Sequence, residues 1–100
     1  MNGGGHRITI DRNAYERPRV TFNPNPLYAQ TGDEIFWTNN DSEAHWPGLL
    51  NSDGTINGSF FMSTRIRNGD VSPIFLAAVQ ATFNYACSIH PDEKGAIIVT

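Results

Sequence analysis

Short runs of β-branched and aromatic residues along this chain are separated by clusters of Gly, Pro, Asn and Asp, the pattern of strands punctuated by turns. The runs predict strands at His6–Arg12, Arg19–Phe22, Leu27–Gln30, Glu34–Asn39, Ser59–Thr64, Val71–Leu76, Thr82–Cys87 and Ala96–Thr100. Thr31-Gly32-Asp33, Asp53-Gly54 and Asn68-Gly69-Asp70 read as turns, because Gly and Asn tolerate positive φ. Residues 47–58, Pro47 to Gly58, form the longest irregular stretch and read as a surface excursion. No segment carries a helical period long enough for a major helix. Within the ambiguous stretch Pro73 to Ala81, Leu76-Ala77-Ala78-Val79-Gln80 has room for one helical turn. About eight short strands at this spacing predict an all-β fold, a Greek-key sandwich or barrel.

The chain has 100 residues, one domain's worth, and shows no repeats, low-complexity tracts or linkers, so residues 1–100 read as a single domain. With 39% hydrophobic and 17% charged residues it has the composition of an ordinary globular protein. A net charge of −3 with scattered basic residues argues against nucleic acid, which selects a basic face. No apolar run approaches the roughly 20 residues of a membrane span. Residues 1–5, Met1-Asn2-Gly3-Gly4-Gly5, lack the basic start and apolar middle of a signal peptide. They read as a processed or engineered start, disordered ahead of the domain.

The single cysteine changes the picture. Cys87 has no partner for an internal disulfide, and it stands in Cys87-Ser88-Ile89-His90-Pro91-Asp92-Glu93-Lys94-Gly95, with His45 far upstream. A thiolate and two imidazoles are the soft and borderline donors that copper selects. Strand alternation places Phe83, Tyr85 and Cys87 on one face. The two aromatics make that face the inward one, so Cys87 points into the interior. His90 follows three residues later in a loop closed by Pro91 and Gly95, and both donors can reach one ion. His45 must arrive from the end of another strand, into which Trp37-Thr38-Asn39-Asn40-Asp41 leads.

Four segments carry a family likeness through their order and spacing: Thr31-Gly32-Asp33-Glu34-Ile35; Trp37-Thr38-Asn39-Asn40-Asp41 followed by His45; Phe83-Asn84-Tyr85-Ala86-Cys87; and Cys87-Ser88-Ile89-His90-Pro91 with Gly95-Ala96-Ile97-Ile98-Val99. In these, from Arg7 to Thr100, the chain resembles the cupredoxins, the small blue copper proteins that include plastocyanin and amicyanin. The resemblance implies that His45, Cys87 and His90 are the equatorial ligands of one copper ion cycling between Cu(I) and Cu(II). It implies a monomeric one-electron carrier rather than an enzyme. Such a carrier docks redox protein partners near His90 and works in the periplasm or outside the cell.

The chain departs from the family at the axial position. Short-loop relatives carry a methionine three residues after the second histidine; here Glu93 occupies that place, and no methionine follows Met62. A coordinating carboxylate would lower the reduction potential and shift the colour toward red or green, which leans the resemblance toward the red-copper cupredoxins typified by nitrosocyanin. The alternative is that Glu93 points to water and the axial position is empty, holds water or takes a backbone carbonyl. Two further departures surround the ligands. Trp46 replaces the asparagine that ties the two ligand loops together in relatives, so that tie must come from elsewhere, Asn40 or Ser88 being candidates. Ile89 replaces a proline, and its N–H is available to the Cys87 sulfur.

Each residue also has an ordinary reading. A lone cysteine is most often a small buried apolar residue, and Glu93 is by default a solvated loop carboxylate. His6 reads as an exposed strand residue and Met62 as core or edge. Trp46, Pro47, Pro91 and the Pro24/Pro26 loop could form an apolar rim around His90. Two rival functions stand beside electron transfer. One is a copper site with an open position that binds or reacts with a small molecule such as nitric oxide or peroxide. The other is a non-redox module, either a copper carrier or a copper-free sandwich.

Overall fold

Inward alternation starts with β1 (Gly5–Arg12), where Ile8 and Ile10 are fully buried between more exposed neighbours. The computed structural model describes residues 4–13 and 19–100, and residues 1–3 of the expected disordered start lie outside them. Gly5 already pairs with Glu34. The further strands are β2 (Val20–Asn23), β3 (Leu27–Ala29), β4 (Glu34–Asn39), β5 (Pro47–Leu50), β6 (Ile56–Asn57), β7 (Phe75–Leu76), β8 (Ala81–Cys87) and β9 (Lys94–Val99). They form two sheets, β2-β1-β4-β7 and β3-β9-β8-β5-β6. The fold is an all-β sandwich. Among the described residues, no helix is long and apolar enough to cross a membrane.

The core lies between the sheets. Trp37 from β4 meets Tyr85 from β8 edge-on at 5.6 Å, and Phe22 and Phe61 pack against Tyr85 at 4.9 Å and 5.6 Å. Gly95 pairs with Tyr85 across β8 and β9, and a Cβ there would run into the tyrosine ring. Gly32, Gly54 and Gly69 adopt positive φ, as the turn readings require.

Three expectations are corrected. Ser59–Thr64 is not a strand. Phe61 and Met62 are both buried, and adjacent strand residues on a one-faced strand cannot both point inward. The segment instead curls, with the Phe60 N–H on the Asn57 carbonyl. Residues 47–58 are not all excursion but contain the hairpin β5–β6. Pro47 opens β5, where its missing N–H is tolerated, and Gly48 allows close approach, since a Cβ there would lie 2.7 Å from the Gly58 Cα. Of the predicted strand 71–76 only Phe75–Leu76 remains, Val71 forms a lone bridge to Thr38, and no helical turn follows.

The parallel pair β1–β4 lies at the centre of its sheet. It runs from Gly5 and Glu34 to Ile10 and Asn39, with His6 and Asp33 beside the first end and Arg12 two residues past the second. At that second end β8 delivers Cys87, and the chain turns through Asp41–His45 into β5.

Candidate metal centre

Cys87, the last residue of β8, is fully buried and faces inward as alternation requires. The loop after it is tight: the His90 N–H donates to the Cys87 carbonyl at 3.2 Å, the Glu93 N–H to the His90 carbonyl at 2.9 Å, and the Cys87 N–H to the Glu93 carbonyl at 2.9 Å. This winding brings His90 Nδ1 to 3.7 Å from Cys87 Sγ and turns Glu93 inward. The Glu93 residue is 3% exposed, and its Oε1 lies 3.4 Å from His90 Nδ1 and 3.1 Å from His45 Nδ1.

His45 comes from the other loop and is held on both sides. Its N–H donates to the Ile66 carbonyl and its carbonyl accepts from the Ile66 N–H. Its ring is buried, with Nδ1 3.8 Å from Cys87 Sγ. On the far side, Nε2 meets Asp41 Oδ2 at 2.8 Å. One donor atom each from His45, Cys87, His90 and Glu93 lies within 4.8 Å of all the others.

The main chain of Trp46 joins the two loops. Its N–H donates to Cys87 Sγ at 3.3 Å and its carbonyl accepts from the Ser88 N–H at 2.7 Å. The Ile89 and His90 amides also favour the thiolate. Burial pushes the Cys87 thiol up, but His45 and these amides outweigh it and hold the thiol below its ordinary value. Burial would likewise lower the His45 pKa; Cys87, Asp41 and Glu93 overcome this and raise it to about 9. Burial raises the Glu93 pKa, only partly offset by the two histidines. A buried carboxylate beside a buried thiol, facing two imidazoles, is a donor set that a cation completes.

No protein-family model and no curated protein sequence matches the chain. Solved structures do. A purple cupredoxin from Nitrosopumilus maritimus superposes with a TM-score of 0.82 at 25% identity, over 95% of this chain and 99% of that one. Amicyanin from Paracoccus versutus superposes with a TM-score of 0.73 at 13% identity, over 96% and 81%. The chain has the cupredoxin fold. Its group of His45, Cys87, His90 and Glu93 fits a cupredoxin-like copper site.

All four residues singled out from the sequence meet in this cluster. The other candidates lie elsewhere. His6 sits at the opposite end of β1, paired with Asp33 at 2.7 Å. Met62 is in the core, and its carbonyl accepts the Trp46 indole N–H. Pro47 is buried, so it contributes nothing to a rim around His90; Pro91 is exposed. The tie between loops uses neither candidate side chain. Asn40 donates to Asp11, and the Ser88 hydroxyl is buried with no hydrogen-bond partner among the described residues.

Three residues around this cupredoxin-like site were not anticipated. Asn39 Nδ2 donates to the Glu43 and Ile66 carbonyls and its Oδ1 accepts the Asp41 N–H, which shapes the turn leading to His45. Asp41 receives His45, and Arg12 Nε donates to Asp41 Oδ1 at 2.8 Å. A signal for Asn39 was present in the sequence: it follows Ile35 and Trp37 on the inward face of β4, where an amide must find partners. Arg12 and Asp41 gave no such signal.

Proposed function

We propose that this protein is a one-domain copper carrier of electrons, with His45, Cys87, His90 and Glu93 as the ligands of a single ion. What most supports the reading is Glu93: a carboxylate almost fully buried in the same cluster as the thiol and both imidazole Nδ1 atoms. Copper there would supply the Cu(I)/Cu(II) one-electron couple.

The residues of the chain do the rest. His45 and Cys87 are locked to two β-elements and to each other through Trp46, so the donor positions change little when charge changes. Buried surroundings exclude water from three of the four donors. The Trp46 N–H draws density from the sulfur and raises the potential, while the Glu93 anion stabilises the more oxidised state and lowers it. A full charge outweighs one N–H···S contact, so the net potential is low. His90 alone of the four offers an edge to solvent, its side chain 31% exposed, and redox partners dock there. A monomeric carrier of the periplasm or the extracellular space accords with the cupredoxin fold.

The test is the absorption and electron paramagnetic resonance spectrum of the Cu(II) protein beside Cys87→Ser and Glu93→Gln. We expect a thiolate-to-copper band that disappears in Cys87→Ser and moves in Glu93→Gln. A wild-type colour displaced from intense blue would match the purple cupredoxin it resembles in structure. A band indifferent to Glu93→Gln would remove the carboxylate from the ligand set. Added nitric oxide or peroxide should leave the spectrum unchanged, and a response would favour a reactive open site.

A further inference from the structure

Beyond the four donors, a line of hydrogen bonds runs from the surface to the buried histidine. Arg12 stands at the end of β1 with its side chain 41% exposed. Its Nε donates to Asp41 Oδ1 at 2.8 Å, and one of its terminal nitrogens donates to Ser42 Oγ at 3.1 Å. Asp41 is 2% exposed, and its second oxygen meets His45 Nε2 at 2.8 Å. The Glu43 N–H closes on the same oxygen at 3.4 Å. Both imidazole nitrogens of His45 are therefore committed, Nε2 to Asp41 and Nδ1 to the cluster. Among the described residues, His90 has no such partner. Its Nε2 is 3.8 Å from the half-exposed Glu43, too long for a hydrogen bond.

We propose that Asp41 is a positioning and tuning residue for His45: it fixes the ring with Nδ1 toward the cluster and adds a second anion behind the site, while Arg12 holds Asp41 in place and offsets its charge. This rests on the ligand reading given above. Two effects follow from the geometry. A ring held by its far nitrogen keeps one tautomer and one orientation, and the hydrogen bond to a carboxylate makes the near nitrogen a stronger donor. The anion at one remove also stabilises the more positive state of whatever the cluster holds, and the guanidinium partly cancels that.

The two residues must therefore act with opposite signs, which a merely structural role would not produce. Asp41→Asn keeps an oxygen to accept the His45 N–H but loses the charge. It should raise the reduction potential. Arg12→Gln removes the offsetting cation and should lower it. Asp41→Ala should weaken Zn(II) binding, read by competition with a chelator, by about 10–100-fold. In the Zn(II)-loaded protein, a diamagnetic probe, nitrogen NMR should show the His45 Nε2–H protected from exchange, and this protection should be lost in Asp41→Ala. Potentials that stay unchanged, or move in the same direction, in Asp41→Asn and Arg12→Gln would overturn the proposal. Should Asp41→Asn fail to fold, Arg12→Gln still decides: a lowered potential supports the assignment and an unmoved one sinks it. Absence of a thiolate-to-copper band in the wild-type protein would strike the ligand reading instead, a separate failure visible before any variant is made.

Discussion

The same chemical pair, a histidine Nε2 against an aspartate oxygen, closes both ends of the parallel strands β1 and β4. At the open end His6 meets Asp33 at 2.7 Å, with the side chains 30% and 7% exposed. At the site end His45 meets Asp41 at 2.8 Å, with both side chains 1% exposed. The distances are alike and the consequences differ, because of what else each acid touches. Asp33 accepts the Gln30 and Gly4 N–H groups at 2.9 Å and 2.7 Å as well as His6, and these donors hold its carboxyl below the ordinary range. It is a latch for the turn that opens β4. Asp41 is buried, which would raise its pKa, yet His45, Arg12 and the Glu43 and Ser42 amides bring it down to about 2. Its histidine looks past it into a thiol and another carboxylate. Burial and the second neighbour of the imidazole, rather than the pair itself, separate the two.

The sharpest way to break this comparison is to remove each histidine. His45→Gln should abolish the thiolate-to-copper band, while His6→Gln should leave it intact; equal losses would mean that the two ends are not distinct. The next effect concerns pH in the metal-free protein. The folded-state pKa of His45, about 9, lies above its ordinary 6.5, so its stabilising contribution is complete below about pH 6.5 and disappears as pH rises through about 9. Melting curves should show the His45 contribution to stability falling across that window. Asp41→Asn should flatten the fall and His6→Gln should not. Two residues beyond Glu93, Gly95→Ala would push a methyl group against the Tyr85 ring and should cost about 1–3 kcal/mol in denaturant titrations. The smallest effect belongs to Asp33→Asn, which should lower the melting temperature slightly and leave the copper potential where it was. A displaced potential there would show that the open end reaches the site.

Much of this molecule was legible before any coordinate. The alternation of Phe83, Tyr85 and Cys87 set the cysteine inward, and three glycine turns fell where positive φ is found. Cys87 and His90 could be paired from spacing alone, because a tight loop joins them. Bringing in His45 needed the fold, and the likeness across four segments supplied it. Glu93 could be named, but its burial could not be read, since the direction of a loop carboxylate depends on the three hydrogen bonds that wind residues 87–93. The hairpin β5–β6 was obscured by Pro47 and Gly48, residues that break strands elsewhere and here begin one. Ser59–Thr64 had the composition of a strand, yet two neighbouring side chains had to enter the core together. Arg12 and Asp41 were invisible as a pair because the contact forms only when the ends of β1 and β4 lie side by side.

Trp46 carries its share of the assembly entirely through its peptide groups, the N–H on the sulfur and the carbonyl on Ser88. Such a rivet does not depend on which side chain the position bears. Exchange of the indole for another residue would unsettle its packing and the Met62 contact but leave both peptide contacts standing. Only proline, which brings no hydrogen to the sulfur, could cut one of them by mutation. The chain has thereby made one of its most sensitive junctions nearly indifferent to spelling.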